Sequence, residues 1–151
     1  MEVKNTFIIS HLIIANMYRR VSAAILKGDQ VLLVKLKEQD RLMPRATWVF
    51  PFMELDEDSS PRKEINDFTA KLGIKYDSIN KVFSYTPTES PKLTYFLYIL
   101  GYASGEPEVS KFFQAYKWVS IKDITAYSTS FMDSEISKYL NDVADHAAKR
   151  I

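Results

Sequence analysis

Two aliphatic runs joined by a four-residue turn constrain the fold of this chain more than any other feature of its sequence. The runs are Val21 to Leu26 and Val31 to Leu36, and Lys27-Gly28-Asp29-Gln30 separates them. Branched aliphatic residues favour extended backbone, and Gly28-Asp29 can supply the positive φ of a tight turn. The pattern predicts an antiparallel β-hairpin, so the chain should contain a sheet.

An amphipathic helix is predicted downstream of this hairpin. Residues 37 to 46 are charged and indicate a loop, and a short strand is predicted at residues 47 to 50, where Pro51 ends it. Residues 54 to 60 are acidic and polar. Ser60-Pro61 then combines an N-cap residue with a proline at the first helical position. The helix is expected to end before Gly73, and its apolar face carries Ile65, Phe68 and Leu72.

The second half of the chain supplies more strands and a terminal helix. Further strands are predicted at residues 81 to 85, 93 to 102 and 114 to 120. The run from 93 to 102 is apolar on both faces, which predicts a central position in the sheet. A short helix at 121 to 126 precedes a final helix that begins after Asp133 or Ser134 and carries Ile136, Leu140, Val143 and Ala147 on its apolar face.

This order of elements is typical of an α/β (α+β) domain, with a mixed sheet sandwiched between helices on opposite faces. The length of 151 residues suits a single domain spanning residues 1–151, with residues 1–20 as an N-terminal strand region. The apolar stretch from Phe7 to Met17 contains His11 and is too short to span a bilayer, so we predict a strand there.

Composition excludes several classes of function. Twenty Lys plus Arg against nineteen Asp plus Glu leave a formal charge of +1, so no overall field would hold the chain on nucleic acid or an anionic membrane. The absence of cysteine excludes disulfides, thiolate zinc sites and a cysteine nucleophile. A cytoplasmic location is the expectation.

Four segments together resemble the Nudix (MutT-like) homology domain over roughly residues 21 to 143. They are the aliphatic run at 31 to 34, Trp48-Val49-Phe50-Pro51, the helix ending at Leu72-Gly73-Ile74, and the Trp118-containing segment from 116 to 124. A looser resemblance links the chain to a mitochondrial large-subunit ribosomal protein that carries a degenerate Nudix domain. The family resemblance implies a mixed sheet between helices and a Mg²⁺-dependent hydrolase of nucleoside diphosphate-linked substrates.

The chain departs from the family pattern where the metal would bind. The two glycines that follow the proline are replaced by Phe52 and Met53, and the helix signature is reduced to Asp67, with Asn66, Ala70 and Lys71 at the other positions. Mg²⁺ requires several oxygen ligands in octahedral geometry, and Lys71 brings a positive charge instead. No metal site and no cofactor are therefore predicted, and Mg²⁺ would be needed only if the chain were an active hydrolase.

The acidic groups near this helix are the candidate site residues. Glu64 and Asp67 are the candidate catalytic carboxylates, and Lys71, four residues after Asp67, is expected to form an ion pair with it. Trp48 could stack a nucleobase, although a tryptophan at a strand end more often packs into the core. The remaining ligand-binding candidates form the acidic loop: Glu54, Asp56, Glu57 and Asp58. A solvated acidic loop at a helix N-terminus is the simpler interpretation.

Three classes of function remain open. The favoured one is a Nudix-like binding or scaffold module without hydrolase activity, whose partner would be a protein or a ribonucleoprotein. The second is a divergent Mg²⁺-dependent hydrolase that uses the acidic loop. The third is a sensor that binds a small nucleotide without cutting it. The sequence also has only two histidines, His11 and His146, and no phosphate-cradling glycine loop.

Overall fold

The computed structural model describes residues 17–127 and 134–149, which form one mixed sheet and its flanking helices. The strands are β1 (Tyr18–Lys27), β2 (Gln30–Lys35), β3 (Trp48–Val49), β4 (Phe52–Leu55), β5 (Lys75–Tyr85), β6 (Leu93–Ser104) and β7 (Ala115–Ser120). The helices are α1 (Pro61–Lys71), a 3₁₀ helix (Ile121–Ala126) and α2 (Ser134–Lys149). Most of the predicted strand at 7 to 17, together with His11 and Asp133, lies outside the described residues.

The predicted hairpin is confirmed. Leu26 pairs with Val31 and Lys27 with Gln30, and Gly28 in the turn has a φ of 63°. Without a Cβ atom, Gly28 adopts this left-handed conformation at little cost. The central position of β6 is also confirmed, because β6 runs parallel to β1 on one side and antiparallel to β5 on the other.

Beyond the turn, β1 and β2 diverge, and two short strands fill the space between them. β4 pairs with β1 from Arg19↔Leu55 to Ser22↔Phe52, while β3 pairs with β2. The N–H of Ala23 donates to the carbonyl of Pro51 between the two short strands, at 3.0 Å. The predicted acidic loop from Glu54 is wrong at its start, because Glu54 and Leu55 pair with the free edge of β1 as part of β4.

The start of β5 was also misplaced by the sequence pattern, which predicted a strand only from residue 81. The strand begins at Lys75, and its register with β6 shifts at three places before Lys81. Each shift interrupts the alternation of inward and outward side chains that a strand prediction needs. Exposure alternates only from Lys75 to Ser78 and is then lost, so the first half of β5 is too short and irregular to predict as a strand.

The two helices pack on opposite faces of the sheet, as predicted. Tyr76 of β5 donates its hydroxyl hydrogen to Oδ1 of Asn66 in α1, and Tyr76 pairs with Tyr102 of β6. Phe83 of β5 contacts the ring of Tyr139 in α2, and Phe83 pairs with Leu97. Tyr102 and Leu97 are five residues apart on one strand, so they point to opposite faces. We call these the α1 face and the α2 face.

The predicted apolar faces of both helices are confirmed. Ile65, Phe68 and Leu72 are buried under α1, and the chain leaves that helix at Gly73 with a φ of 75°. Ser60 occupies the N-cap position, but its side chain makes no capping hydrogen bond. Along α2, Ile136, Leu140 and Ala144 are buried, whereas Val143 and Ala147 are half-buried.

Among the described residues, no helix is long and apolar enough to cross a membrane.

Candidate functional site

The acidic segment between β4 and α1 does not present its carboxylates as one cluster. Glu54 lies in β4, and its Oε1 accepts a hydrogen bond from Nε of Arg20 at 2.6 Å. The following residues form the turn into α1, and the carboxylate-bearing Asp56, Glu57 and Asp58 are exposed there. Glu54 is thus tied to a cation, whereas the next three acids face solvent.

Two consecutive arginines of β1, Arg19 and Arg20, bind the segment between β4 and α1 and the adjoining residues from opposite faces of the sheet. The Arg19 guanidinium lies on the α1 face over the ring of Phe96, and it donates to the carbonyl oxygens of Asp56, Glu57 and Ser59 at 3.2 to 3.4 Å. Because Arg20 is the next residue in the strand, its side chain lies on the α2 face. Arg19 therefore positions the backbone of the acidic turn without pairing with its carboxylates.

Arg20 is the buried centre of a cluster that also contains Asp40, Tyr95, Phe52 and Glu54, of which Glu54 remains exposed to solvent. Its side chain is 4% exposed, and its two terminal nitrogens donate to both carboxylate oxygens of Asp40 at 2.6 and 2.9 Å. The Tyr95 hydroxyl accepts a further hydrogen bond at 3.0 Å, and the Phe52 ring lies 4.4 Å from the guanidinium carbon. We call this arrangement the Arg20 cluster.

The Arg20 cluster shifts the pKa values of its members. Burial raises the pKa of Asp40, but the hydrogen bonds and charge of Arg20 lower it more, so the pKa lies below its ordinary value. Burial raises the pKa of the Tyr95 hydroxyl, and the nearby Arg20 cation only partly offsets that effect. At neutral pH, Asp40 is therefore ionised, as its bidentate pairing with the Arg20 cation requires, and Tyr95 keeps its proton.

The contribution of Asp40 to stability should depend on pH. A carboxyl whose pKa is lowered by folding stabilises the native state above its unfolded-state pKa of about 3.9. That contribution disappears as the pH falls through the lower folded-state pKa. We expect the difference in unfolding free energy between the natural protein and Asp40→Asn to shrink below about pH 4, as measured by urea titrations from pH 7 to pH 2. If the difference in unfolding free energy between the two proteins were the same at pH 2 as at pH 7, the pKa of Asp40 would not be lowered by folding.

The α1 helix carries the other candidate residues, and one predicted contact within it is wrong. Glu64 is half-buried, whereas Asp67 and Lys71 are both exposed. Between these two described side chains, the structure contains no ion pair within 4 Å. Two exposed charges lose side-chain entropy when they pair and gain little in water, so helical spacing alone does not bring them together.

The donor set around α1 does not suit a divalent cation. In residues 17–127 and 134–149, no three His, Cys, Asp or Glu side chains form a group that could hold a metal ion. Ala70 has no ligand atom, and Lys71 carries a positive charge. Mg²⁺ takes six oxygen ligands and needs clustered carboxylates to displace its water. The described residues therefore do not fit the metal that the family resemblance implies.

Two substitutions of the family's glycines are accommodated by β4. Phe52 and Met53 pair with Ser22 and Val21 of β1, and both side chains are half-buried. Phe52 also contacts the ring of Tyr95 at 6.3 Å and that of Phe113 at 6.2 Å. The Phe52 side chain thus fills space in the Arg20 cluster that a glycine would leave open.

The remaining candidates are Trp48 and the histidine of α2. Trp48 is half-buried and begins β3, and its ring contacts Tyr127 edge to face at 6.0 Å. His146 is exposed, and its Nδ1 lies 3.1 Å from the carbonyl oxygen of Asp142. Among the described residues, neither Trp48 nor His146 contacts the acidic turn.

Sequence reasoning missed the Arg20 cluster. Arg20 and Asp40 are 20 residues apart, and Arg20 and Glu54 are 34 apart, so no local spacing relates them. The usable signal was an arginine at the start of an apolar strand, where an unpaired charge would be costly. That signal indicates the need for a carboxylate partner without identifying which one.

No family model matches the chain, and no curated protein matches it. Solved structures match it over most of its length, and they give the chain the fold of the Nudix hydrolases. One is a NUDIX hydrolase from Nitrosomonas europaea, at 18% identity and a TM-score of 0.55, covering 88% of this chain and 90% of that one. Another is the MutT protein from Methanosarcina mazei Go1, at 18% identity and a TM-score of 0.57, covering 89% and 94%.

A third similar structure is an ADP-ribose pyrophosphatase from Streptococcus suis 89-1591, at 17% identity and a TM-score of 0.53, covering 84% of this chain and 91% of that one. At such identities the likeness establishes the fold and leaves the activity to the residues of the site. The predicted α/β architecture with a mixed sheet between helices is therefore confirmed.

Proposed function

We propose that this Nudix-fold domain does not hydrolyse diphosphates and instead acts as a binding or scaffold module for a protein or ribonucleoprotein partner. The observation that carries the proposal is the composition of α1, where Asp67 is accompanied by Ala70 and Lys71. Asp67 beside a lysine, with only the half-buried Glu64 one turn earlier, cannot replace the several oxygen ligands that Mg²⁺ requires.

Acids elsewhere in the region do not make up for this loss. Glu54 is hydrogen-bonded to Arg20, and Asp40 is held by the same guanidinium through both of its oxygens. Moving either carboxylate to a metal would leave the buried Arg20 cation short of a partner, which is strongly unfavourable. Among the described residues, no hydrogen bond holds the carboxylates of the exposed acids in the turn, so their positions are not fixed.

A hydrolysis assay tests the proposal directly. The purified protein would be incubated with ADP-ribose or with nucleoside triphosphates in 5 to 10 mM Mg²⁺ or Mn²⁺, with product followed by chromatography. We expect no product above the metal-only control. Metal-dependent turnover that disappears in Asp67→Asn would overturn the proposal and make α1 a working catalytic helix.

Rebuilding the missing carboxylates should create metal binding. In the double variant Ala70→Glu/Lys71→Glu, two new acids would crowd against Asp67, so stability should fall modestly without metal and recover when a divalent cation binds. We expect Mg²⁺ or Mn²⁺ to raise the melting temperature of the double variant but not of the natural protein. The measurement is thermal unfolding at constant ionic strength, so that charge screening is not mistaken for binding.

The matched control for this experiment is Lys71→Ala with Ala70 retained, which removes the cation but adds no ligand. It should remain unresponsive to metal. If the natural protein gained as much stability as the double variant, Lys71 would not be blocking a site. The exposed acids of the turn, Asp56 to Asp58, would then be the leading metal ligands.

A nucleotide sensor is the second candidate, and a cleft between α2 and the sheet favours it. The cleft has a volume of about 740 Å³, within the range of small-molecule sites. Its lining combines apolar Leu26 and Val143 with polar Asn80, Asp142 and His146. Stabilisation of the protein by ADP-ribose or ATP, with no product formed, would favour the sensor over the scaffold.

A further inference from the structure

Strand β7 provides a regular edge of the sheet. It pairs with β2 along its whole length, from Lys35↔Ala115 to Gln30↔Ser120, with no interruption of the register. Within the described part of the chain, no backbone hydrogen bond joins the other side of β7 to any segment. An edge of this kind presents a row of unpaired N–H and C=O groups that another strand can bind.

The opposite edge of the sheet is less suited to pairing. Strand β5 has three shifts of register between Lys75 and Lys81. Such irregularities twist a strand and interrupt the repeat of hydrogen-bonding groups, which is a common protection of sheet edges. Of these two edges, β7 is therefore the one that can accept an extended segment along several consecutive residues.

The side chains of β7 indicate what such a segment would carry. Lys117 is exposed on the α2 face, with its Nζ 5.3 Å from the centre of the Tyr127 ring. On the α1 face, Trp118 is half-buried and contacts Tyr102, with Nζ of Lys27 5.2 Å from its ring centre. A residue opposite Lys117 would be favoured if acidic, and one opposite Trp118 if apolar.

A shallow cleft adjoins the start of the same strand. It has a volume of about 360 Å³ and a mixed lining, which is polar at Glu108, Ser110 and Gln114 and otherwise formed by Pro107, Val109, Ala115 and Tyr116. The loop that forms one side of it also carries Phe112, whose side chain is 45% exposed. The exposed aromatic ring beside the less polar side of this cleft suits an apolar side chain of a partner. The cleft and the open edge thus form one continuous surface.

We propose that β7 binds an extended peptide segment of a protein partner by strand addition. The segment places an acidic residue opposite Lys117 and an apolar residue in the cleft beside Tyr116. This inference rests on the proposed function as a binding module, because it assigns the surface that the module uses. A second copy of the chain fits less well, since self-pairing centred on Lys117 would bring two lysines together.

A peptide titration followed by amide hydrogen exchange tests the strand addition. The probe is a labelled eight-residue peptide in which valine alternates with threonine and one central threonine is replaced by glutamate. We expect the peptide to slow exchange at alternate amides of residues 115 to 120, because only outward-facing N–H groups gain a partner. A peptide with lysine in place of the glutamate should bind about fivefold more weakly.

Charge reversal supplies a matched pair of variants. Lys117→Glu should reverse the preference, so that the lysine peptide binds more tightly than the glutamate peptide. Lys81→Glu changes a lysine that also lies against an aromatic ring, but on the β5 edge, and it should leave the preference unchanged. Both lysines are exposed, so neither variant is expected to impair folding.

Several outcomes would overturn the proposal. They are exchange protection outside β7, an unchanged peptide preference in Lys117→Glu, and protection of β7 that grows with protein concentration in the absence of peptide. The last result would assign the edge to a second copy. Failure of the proposed function is a separate result. If the protein hydrolyses ADP-ribose yet binds the peptide, only the proposed loss of catalysis is refuted. If it is inactive and does not bind the peptide, only the assignment of β7 as the binding surface is refuted.

Discussion

Replacing Arg20 with methionine is expected to lower the free energy of unfolding by about 3 to 5 kcal/mol. Methionine retains an apolar side chain but leaves Asp40, which is 10% exposed, without the bidentate cation that neutralises it. Tyr95 and Glu54 also each lose a hydrogen bond. Urea or guanidinium unfolding at pH 7 measures the loss, with far-UV circular dichroism showing that the variant still folds.

The preceding arginine provides a matched control. Arg19→Met removes the same kind of side chain from the same strand, but Arg19 is half-buried and bonds only to backbone carbonyls of the acidic turn. We expect that variant to lose no more than about 1 kcal/mol. The double variant Arg20→Met/Asp40→Leu should recover part of the loss, because it removes the uncompensated charge as well. If Arg19→Met and Arg20→Met lowered the free energy of unfolding equally, Arg20 would not be acting as a buried cation paired with Asp40.

Replacing Gly105 with alanine should cost at least about 2 kcal/mol of unfolding free energy. Gly105 has a φ of 106°, a conformation that residues with a side chain rarely adopt. A Cβ atom there would overlap the carbonyl oxygen of Gly73, and the carbonyl of Gly105 itself accepts a hydrogen bond from the Tyr102 hydroxyl at 2.6 Å. The substitution would therefore separate the segment after β6 from the end of α1.

Gly28 is the control for this prediction. Its φ of 63° is also positive, but an added Cβ would meet nothing within 4 Å. Gly28→Ala should therefore show only the conformational cost of about 1 kcal/mol. Thermal or denaturant unfolding of both variants separates the steric contribution from the backbone contribution. If the two substitutions cost the same, the close contact between Gly105 and Gly73 would not be important for stability.

The Arg20 cluster connects these stability predictions with the proposed loss of catalysis. Two carboxylates near the acidic turn, Asp40 and Glu54, are bound to one buried cation. Phe52 stands where the family pattern has a glycine, and it covers the same guanidinium at 4.4 Å. The region thus favours a stable packed structure, whereas a hydrolase needs acids that remain free for a metal.

Local sequence patterns determined much of the architecture. The hairpin between β1 and β2 follows from two aliphatic runs and Gly28, and α1 follows from the spacing of Ile65, Phe68 and Leu72 and from Gly73. These signals lie within a few residues of one another, so the physical cause is present in any short window of the chain. The absence of a metal-binding carboxylate at Ala70 and Lys71 is equally evident from the sequence.

Tertiary structure decided what depends on distant residues or on solvent. The i, i+4 spacing of Asp67 and Lys71 permits an ion pair, but water competes for both exposed charges and the pair does not form. The Arg20 cluster joins β1, the loop of Asp40 and β4, and β4 itself exists because β1 offers it a free edge. Burial and strand pairing bring such partners together as the chain folds. A buried charge is unfavourable without a counter-charge, and an open strand edge is free to pair with another strand.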